Sequence, residues 1–280
     1  MIYDPNRTAQ YFDSFGLGEW ERLVRSPSEE IKLYIHNHYL RRYILPGSRV
    51  LEIGAGPGRF TQTLHALGCR VLVTDLSTEQ LALNRQKAHE LSFVAAVEGW
   101  LQLDVCDMAL IESESFDAVL CYGGPFSYVF ERADHAVQEC ARVLKPGGVL
   151  LSSAMSFWGT AHAFFGGVLD IPLELNRAIL RSGDLTPETQ PGSSHHCHLF
   201  RSGEYRALHE RNGMQVLCMS ASNALSTGWE ETLQRCRSDP ALWEFILEME
   251  LQACAESGYL DAGTHILVAA RKSSVLDEGQ

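Results

Sequence analysis

Between residues 46 and 156, short apolar runs alternate with helix-spaced segments, and glycine, proline or capping residues mark the joints. This alternation limits the chain more than any other feature. Strands separated by helices pair in parallel, and a parallel sheet needs cover on both faces. The first run, Val50 to Ile53, follows the Pro46-Gly47 break and ends in the glycine-rich turn Gly54-Ala55-Gly56-Pro57-Gly58. A helix follows, with Phe60, Leu64 and Leu67 on one face and Gly68 at its C′ position. Val71 to Asp75 is the second strand. Ser77 then caps a helix, Gln80 completes a capping box, and Leu76 with Leu81 fits a hydrophobic staple. Val97 to Leu103 and Phe116 to Tyr122 are expected as the third and fourth strands. A helix from Asp134 is stopped by Pro146-Gly147-Gly148, and Val149 to Ala154 is the fifth strand.

Outside this core the rhythm changes. A helix over 202–212 and a strand over 214–220 resume the alternation, 223–262 reads as helical, and 265–270 is a last apolar strand. Residues 1–44 form a helical preface in which Ser26-Pro27-Ser28-Glu29 supplies an N-cap, a proline at N1 and a capping-box glutamate. With no internal repeat or linker, the span 1–280 reads as one domain. Its core is 46–156, and three segments (1–44, 157–194 and 223–262) are expected to cover the carboxyl ends of the strands.

A glycine turn between strand and helix lets backbone approach a ligand closely, and the helix N-terminus favours an anionic group. The dinucleotide fingerprint would need glycine at position 59, where Arg59 stands, and a Walker loop is absent. Asp75 ends the second strand, where an acidic residue can accept both hydroxyls of a ribose; a plain helix-cap aspartate is the bland alternative. Charge narrows the partners. With 23 basic and 35 acidic residues the net charge is −12, and no basic stripe is present, which argues against DNA or duplex RNA. No apolar run approaches the ~20 residues of a membrane span. The N-terminal sequence shows no secretory signal, and the eight cysteines include no CxxC pair. A cytoplasmic location with reduced thiols is therefore expected.

Residues 50–60, Val-Leu-Glu-Ile-Gly-Ala-Gly-Pro-Gly-Arg-Phe, resemble the first motif of the seven-stranded (class I) S-adenosylmethionine-dependent methyltransferases. Residues 73–77, 103–108, 116–122 and 142–150 resemble further motifs of that family, in order. The resemblance covers 46–156 closely and the later strands loosely. It implies an α/β, Rossmann-like doubly wound seven-stranded sheet, mostly parallel with the last strand antiparallel, carrying helical cap insertions. It also implies the cofactor S-adenosyl-L-methionine. By that likeness Gly54, Ala55, Gly56 and Gly58 would wall the methionine moiety, with Glu52 beneath them. Asp75 would hold the ribose, Leu76 would pack on adenine, and Asp104 and Val105 would bond its edge. Cys121 would border the sulfonium through backbone, and Tyr11 or Arg22 would meet the methionine carboxylate.

The acceptor side is less constrained. Positions 118–128 hold neither Asp nor Glu, unlike magnesium-dependent relatives, and Tyr122-Gly123-Gly124-Pro125 replaces the motif of nucleobase- and glutamine-methylating ones. Tyr122 and Ser153 stand at strand ends where an acceptor would sit, and His36, His38 and His198 are the candidate bases. The run His195-His196-Cys197-His198 invites a metal reading, but four adjacent donors do not all face one ion, so no metal is expected. The expected function is methyl transfer to a small-molecule acceptor without a metal. Two alternatives stay open: a protein or RNA methyltransferase, and a non-catalytic cofactor-binding subunit. A closed pocket beside the methyl group would favour the first reading, a positive surface RNA, and a blocked pocket the non-catalytic role.

Overall fold

Seven strands form one sheet in the computed structural model, which describes residues 2–273; Met1 and residues 274–280 of the expected domain lie outside the described residues. In chain order the strands are β1 (Arg49–Ile53), β2 (Arg70–Asp75), β3 (Val97–Gln102), β4 (Phe116–Cys121), β5 (Leu144–Met155), β6 (Met214–Ala221) and β7 (His265–Lys272). Across the sheet they run β3-β2-β1-β4-β5-β7-β6. Strands β1 to β5 are parallel, and β7 lies antiparallel between β5 and β6. The expected doubly wound sheet with its antiparallel last strand is the one observed.

The helices are α1 (Pro5–Asp13), α2 (Gly18–Arg22), α3 (Pro27–Tyr43), α4 (Arg59–Ala66), α5 (Thr78–Glu90), α6 (Pro125–Tyr128) and α7 (Ala133–Val143). Then come α8 (Phe157–Ala163), α9 (Phe165–Asp170), α10 (Leu173–Ser182), α11 (Ser202–Glu210), α12 (Glu230–Cys236) and α13 (Pro240–Ala255). Strand side chains alternate between two cores. Val119 and Cys121 face α7 and α11, where Val137, Cys140, Tyr205 and Leu208 are buried. Ala118 and Leu120 face the other layer, with Ile31, Ile35 and Leu40 of α3 and Leu64 of α4. A third, smaller core under the cap joins Tyr128, Phe157, Ile179, Cys197 and Leu199. No helix among the described residues is long and apolar enough to cross a membrane.

Four local expectations are corrected. Both capping boxes are half-formed: the Ser26 and Ser77 hydroxyls accept from the N–H of Glu29 and Gln80, but the reciprocal bonds are absent. Glu29 instead accepts from Lys32 at 2.9 Å, and the Gln80 amide donates to the carbonyls of Phe12 and Gly16. A lysine one helical turn on has won Glu29, and carbonyls of the N-terminal segment have won Gln80. Pro146-Gly147-Gly148 ends α7 but stays within β5, because the register to β4 jumps between Phe116 and Ala118 and absorbs the extra residues. Finally, 223–262 does not cover the strand ends. Helices α12 and α13 pack on α3 and β6 instead, filling the face of the sheet.

Candidate active site

The turn after β1 is shaped by two glycines in left-handed backbone. Gly54 has φ 65°, and a Cβ there would come within 2.9 Å of the Pro125 ring; Gly56 has φ 51°. Asp75, buried at the end of β2, holds this turn. Its Oδ2 accepts from the Gly56 N–H at 2.8 Å, and its Oδ1 accepts from the Ser77 N–H at 2.9 Å. Burial pushes its carboxyl up to about 6 against those two donors. Asn84, which sequence reasoning missed, braces the turn from α5 by donating to the Gly56 carbonyl at 3.1 Å. Gly58 does not wall the hollow: a Cβ there would lie 2.9 Å from Asn84 and 3.1 Å from Phe93, so this glycine lets α4 seat against its neighbours.

Two small hollows flank the turn. The first, about 90 Å³, is lined by Gly54, Gly56, Asp75, Leu76, Asp104 and Val105. Asp104 is oriented by the Cys106 N–H, which donates to its Oδ1 at 2.8 Å. Tyr3 and Gln80 border the same hollow and carried no local signal, since they reach it only through tertiary packing. The second hollow, about 40 Å³, is lined by Glu52, Ala55, Arg22 and Glu19 among others. Glu52 is 2% exposed; its Oε2 accepts from the Thr61 hydroxyl at 2.7 Å, while its Oε1 is buried without a partner. Burial, aided by the nearby Asp75 charge, pushes the Glu52 carboxyl up to about 8. Arg22 is held by both carboxylate oxygens of Glu19, at 2.6–2.9 Å.

A third and far larger cavity, about 780 Å³, opens beside them and shares Glu19, Arg22 and Gly123 with the hollows. Tyr11, Phe12, Tyr128, Met155, Phe157 and Trp158 form part of its wall. Tyr11 therefore belongs to this cavity and lines neither hollow. Cys121 is sealed in the sheet core, and its successors Tyr122 and Gly123 border the hollows instead. Ser153 is fully buried; its Oγ accepts from the Gly123 N–H at 3.0 Å and so sets the shape of that turn rather than facing an acceptor.

The candidate histidines separate. His36 Nδ1 donates to the Lys32 carbonyl at 2.7 Å, its ring packs edge-on against Tyr122, and burial lowers it to about 4. His38 sits edge-on to Tyr39 and lines none of the three cavities. His198 is bound between Asp184 (2.7 Å) and Glu204 (2.9 Å). Burial opposes its charge, but the two carboxylates outweigh it and raise the ring to about 9, a structural cation rather than a base. His195 and His265 line the cavity instead. His195 stacks on Tyr11 and bonds the Tyr128 hydroxyl at 3.0 Å, and burial together with nearby cations holds His265 neutral. The parity of a strand start and the course of an irregular loop decided these placements. Among the described residues no group of three or more His, Cys, Asp or Glu is arranged to hold a metal.

Sheet order, the glycine turn after β1, the buried aspartate ending β2 and the cavity beside them follow the pattern of the seven-stranded methyltransferase fold. Residues 51–152 match the family model described as a methyltransferase domain, and this part of the chain belongs to that family. The ubiquinone biosynthesis O-methyltransferase of Xanthomonas campestris pv. campestris is 34% identical over 128 residues, 44% of this chain and 49% of that protein. The chain thus matches about half the length of such curated relatives. An S-adenosylmethionine-dependent methyltransferase from Mesorhizobium loti superposes with a TM-score of 0.57 at 20% identity, covering 84% of this chain and 96% of that one. SAM-dependent methyltransferases from Methanosarcina mazei give 0.55 at 16% identity, over 84% and 97%. These two likenesses concern the fold. The residues present fit the cofactor. Glu52 keeps a buried oxygen without a donor, and it lines the hollow behind the glycine turn with Gly54, Ala55 and Gly56.

Proposed function

We propose that the chain transfers the methyl group of S-adenosylmethionine to a small-molecule oxygen acceptor seated in the 780 Å³ cavity. The observation that carries this reading is the sharing of Gly123, Glu19 and Arg22 between that cavity and the hollow behind the glycine turn. A methyl carrier on one side would face a large aromatic-lined cavity on the other. The choice of oxygen follows the name of the Xanthomonas relative. S-adenosylmethionine, when bound, supplies a methyl group on a leaving sulfonium, so the protein's task is alignment and exclusion of water. Gly54, Ala55 and Gly56 would hold the amino-acid end, with Glu52 offering its free oxygen to an ammonium. Asp75 would accept from the ribose, and Leu76, Asp104 and Val105 would hold the base. Aromatic side chains of α1 and α8 would keep the chamber dry.

Calorimetry should show one S-adenosylmethionine site, and incubation with small hydroxylated compounds should release S-adenosylhomocysteine. A silent titration would overturn the assignment. Turnover should survive EDTA, because the turn after β4 offers no acidic ligand; loss that magnesium restores would contradict this. A macromolecular acceptor and a non-catalytic role are both disfavoured by a chamber that is large, aromatic and open to the cofactor side.

A further inference from the structure

Charge in the large cavity is segregated. Its charged lining residues Glu19, Arg22, Glu29 and Lys32 all come from α2 and α3, and two of them also border the hollow behind the glycine turn. The wall from α9 and α10, with Phe165, Val168, Ile179 and Leu180, carries no charge; its one polar side chain, Asn176, spends its amide on the carbonyls of Val168 and Ile171, and none of these residues touches either cofactor hollow. The cavity therefore has a polar end near the cofactor and an apolar end away from it. At the polar end the charges close into two pairs, Arg22 with Glu19 at 2.6 Å and Lys32 with Glu29 at 2.9 Å. Two cations and two anions leave no net charge to select an ionic ligand. One acceptor is left over: Glu29 Oε2 is buried and lacks a hydrogen-bond partner. A carboxylate oxygen in that state is costly unless a donor arrives, and the soft terminal torsion of glutamate can turn it toward the cavity. At the other end Trp158, Phe164, Phe165 and Leu180 line the cavity yet stay 49–63% exposed, so the apolar wall continues to the surface.

Resting on the assignment of this cavity to the acceptor, we infer that the acceptor is a neutral amphipathic alcohol or phenol. Its hydroxyl donates to Glu29 at the charged end of the cavity, and its hydrocarbon body runs out along α8, α9 and α10. In this arrangement the bound body covers aromatic surface that is otherwise wet.

Binding of alkylphenols, followed by tryptophan fluorescence without turnover, tests both ends. Para-hexylphenol should bind about a hundredfold more tightly than para-ethylphenol, as burial of four more methylenes implies. It should bind about tenfold more tightly than hexylbenzene, which lacks the hydroxyl. In the double variant Glu29→Met/Lys32→Met, which removes the pair without stranding a charge, the hydroxyl advantage should disappear while the chain-length effect remains. The surface variant Phe165→Asp should do the reverse, and it needs no buried change to fold. A hydroxyl advantage that survives loss of Glu29, or wild-type affinity independent of chain length, would refute the inference. A parallel titration with S-adenosylmethionine separates the two levels. Silence there sinks the methyltransferase reading itself, whereas cofactor binding with indifferent phenol affinities sinks the acceptor class alone.

Discussion

Replacing Asp75 with alanine is expected to weaken S-adenosylmethionine binding by at least tenfold, and by about a hundredfold or more if both ribose hydroxyls use the carboxylate. Each charge-assisted bond contributes about 1.5–3 kcal/mol. Both carboxylate oxygens already receive a backbone N–H, from Gly56 and from Ser77, and each keeps a lone pair for a hydroxyl. The variant therefore loses the ribose contacts and also untethers the glycine turn. Asparagine should be nearly as damaging, since its NH2 group would confront one of two N–H donors. With the carboxyl pushed up to about 6, wild-type affinity should also fall as pH drops below that value and the anion is lost. Calorimetry on the variants and across pH 5–8 checks all three points, and unchanged affinity in Asp75→Ala would remove Asp75 from the site.

What the chain discloses by itself is what neighbouring residues decide together. The turn 54–58, the strand end at Asp75 and the pair Asp104-Val105 each join a strand to its own successor, so spacing alone brings them to one edge of the sheet. Side chains whose partners are remote in sequence were misjudged. Gln80 has ideal capping spacing, yet the carbonyls of Phe12 and Gly16, more than sixty residues away, take its amide. Of the histidines in 195–198, the one facing the cavity is His195, because Asp184 and Glu204 draw His198 away on an antiparallel ribbon two residues long. His265 enters the chamber because β7 inserts between β5 and β6 with Met155 as its partner, a register that the sequence of β7 does not encode alone. Gly58 and Ser153 show the same effect in reverse. Both stand beside ligand-facing positions, yet their contacts are with Asn84, Phe93 and the Gly123 amide.

Glu52 carries the other large consequence. Its carboxyl is fully buried, one oxygen has no donor, and its ionisation is pushed up to about 8 from an ordinary 4.5. An acid whose folded value lies above its unfolded value keeps its proton longer in the native state, so its contribution is complete at low pH and is lost as pH rises between those two values. The slope approaches about 1.4 kcal/mol per pH unit, several kcal/mol across the interval. The cofactor-free protein should therefore melt at steadily lower temperature from pH 5 to pH 8, with Asp75 adding to the slope below pH 6. Glu52→Gln, which cannot ionise, should flatten that dependence and melt above the wild type at pH 8. A bound ammonium beside Glu52 would reverse the preference and favour the anion, so cofactor binding near pH 7 should expel about one proton. Calorimetry in two buffers of different ionisation enthalpy measures that proton directly, and it should vanish in Glu52→Gln. Parallel melting curves for wild type and variant would show that Glu52 is ionised in the folded chain from the outset, and proton release that persists without the carboxyl would show that another group supplies the proton.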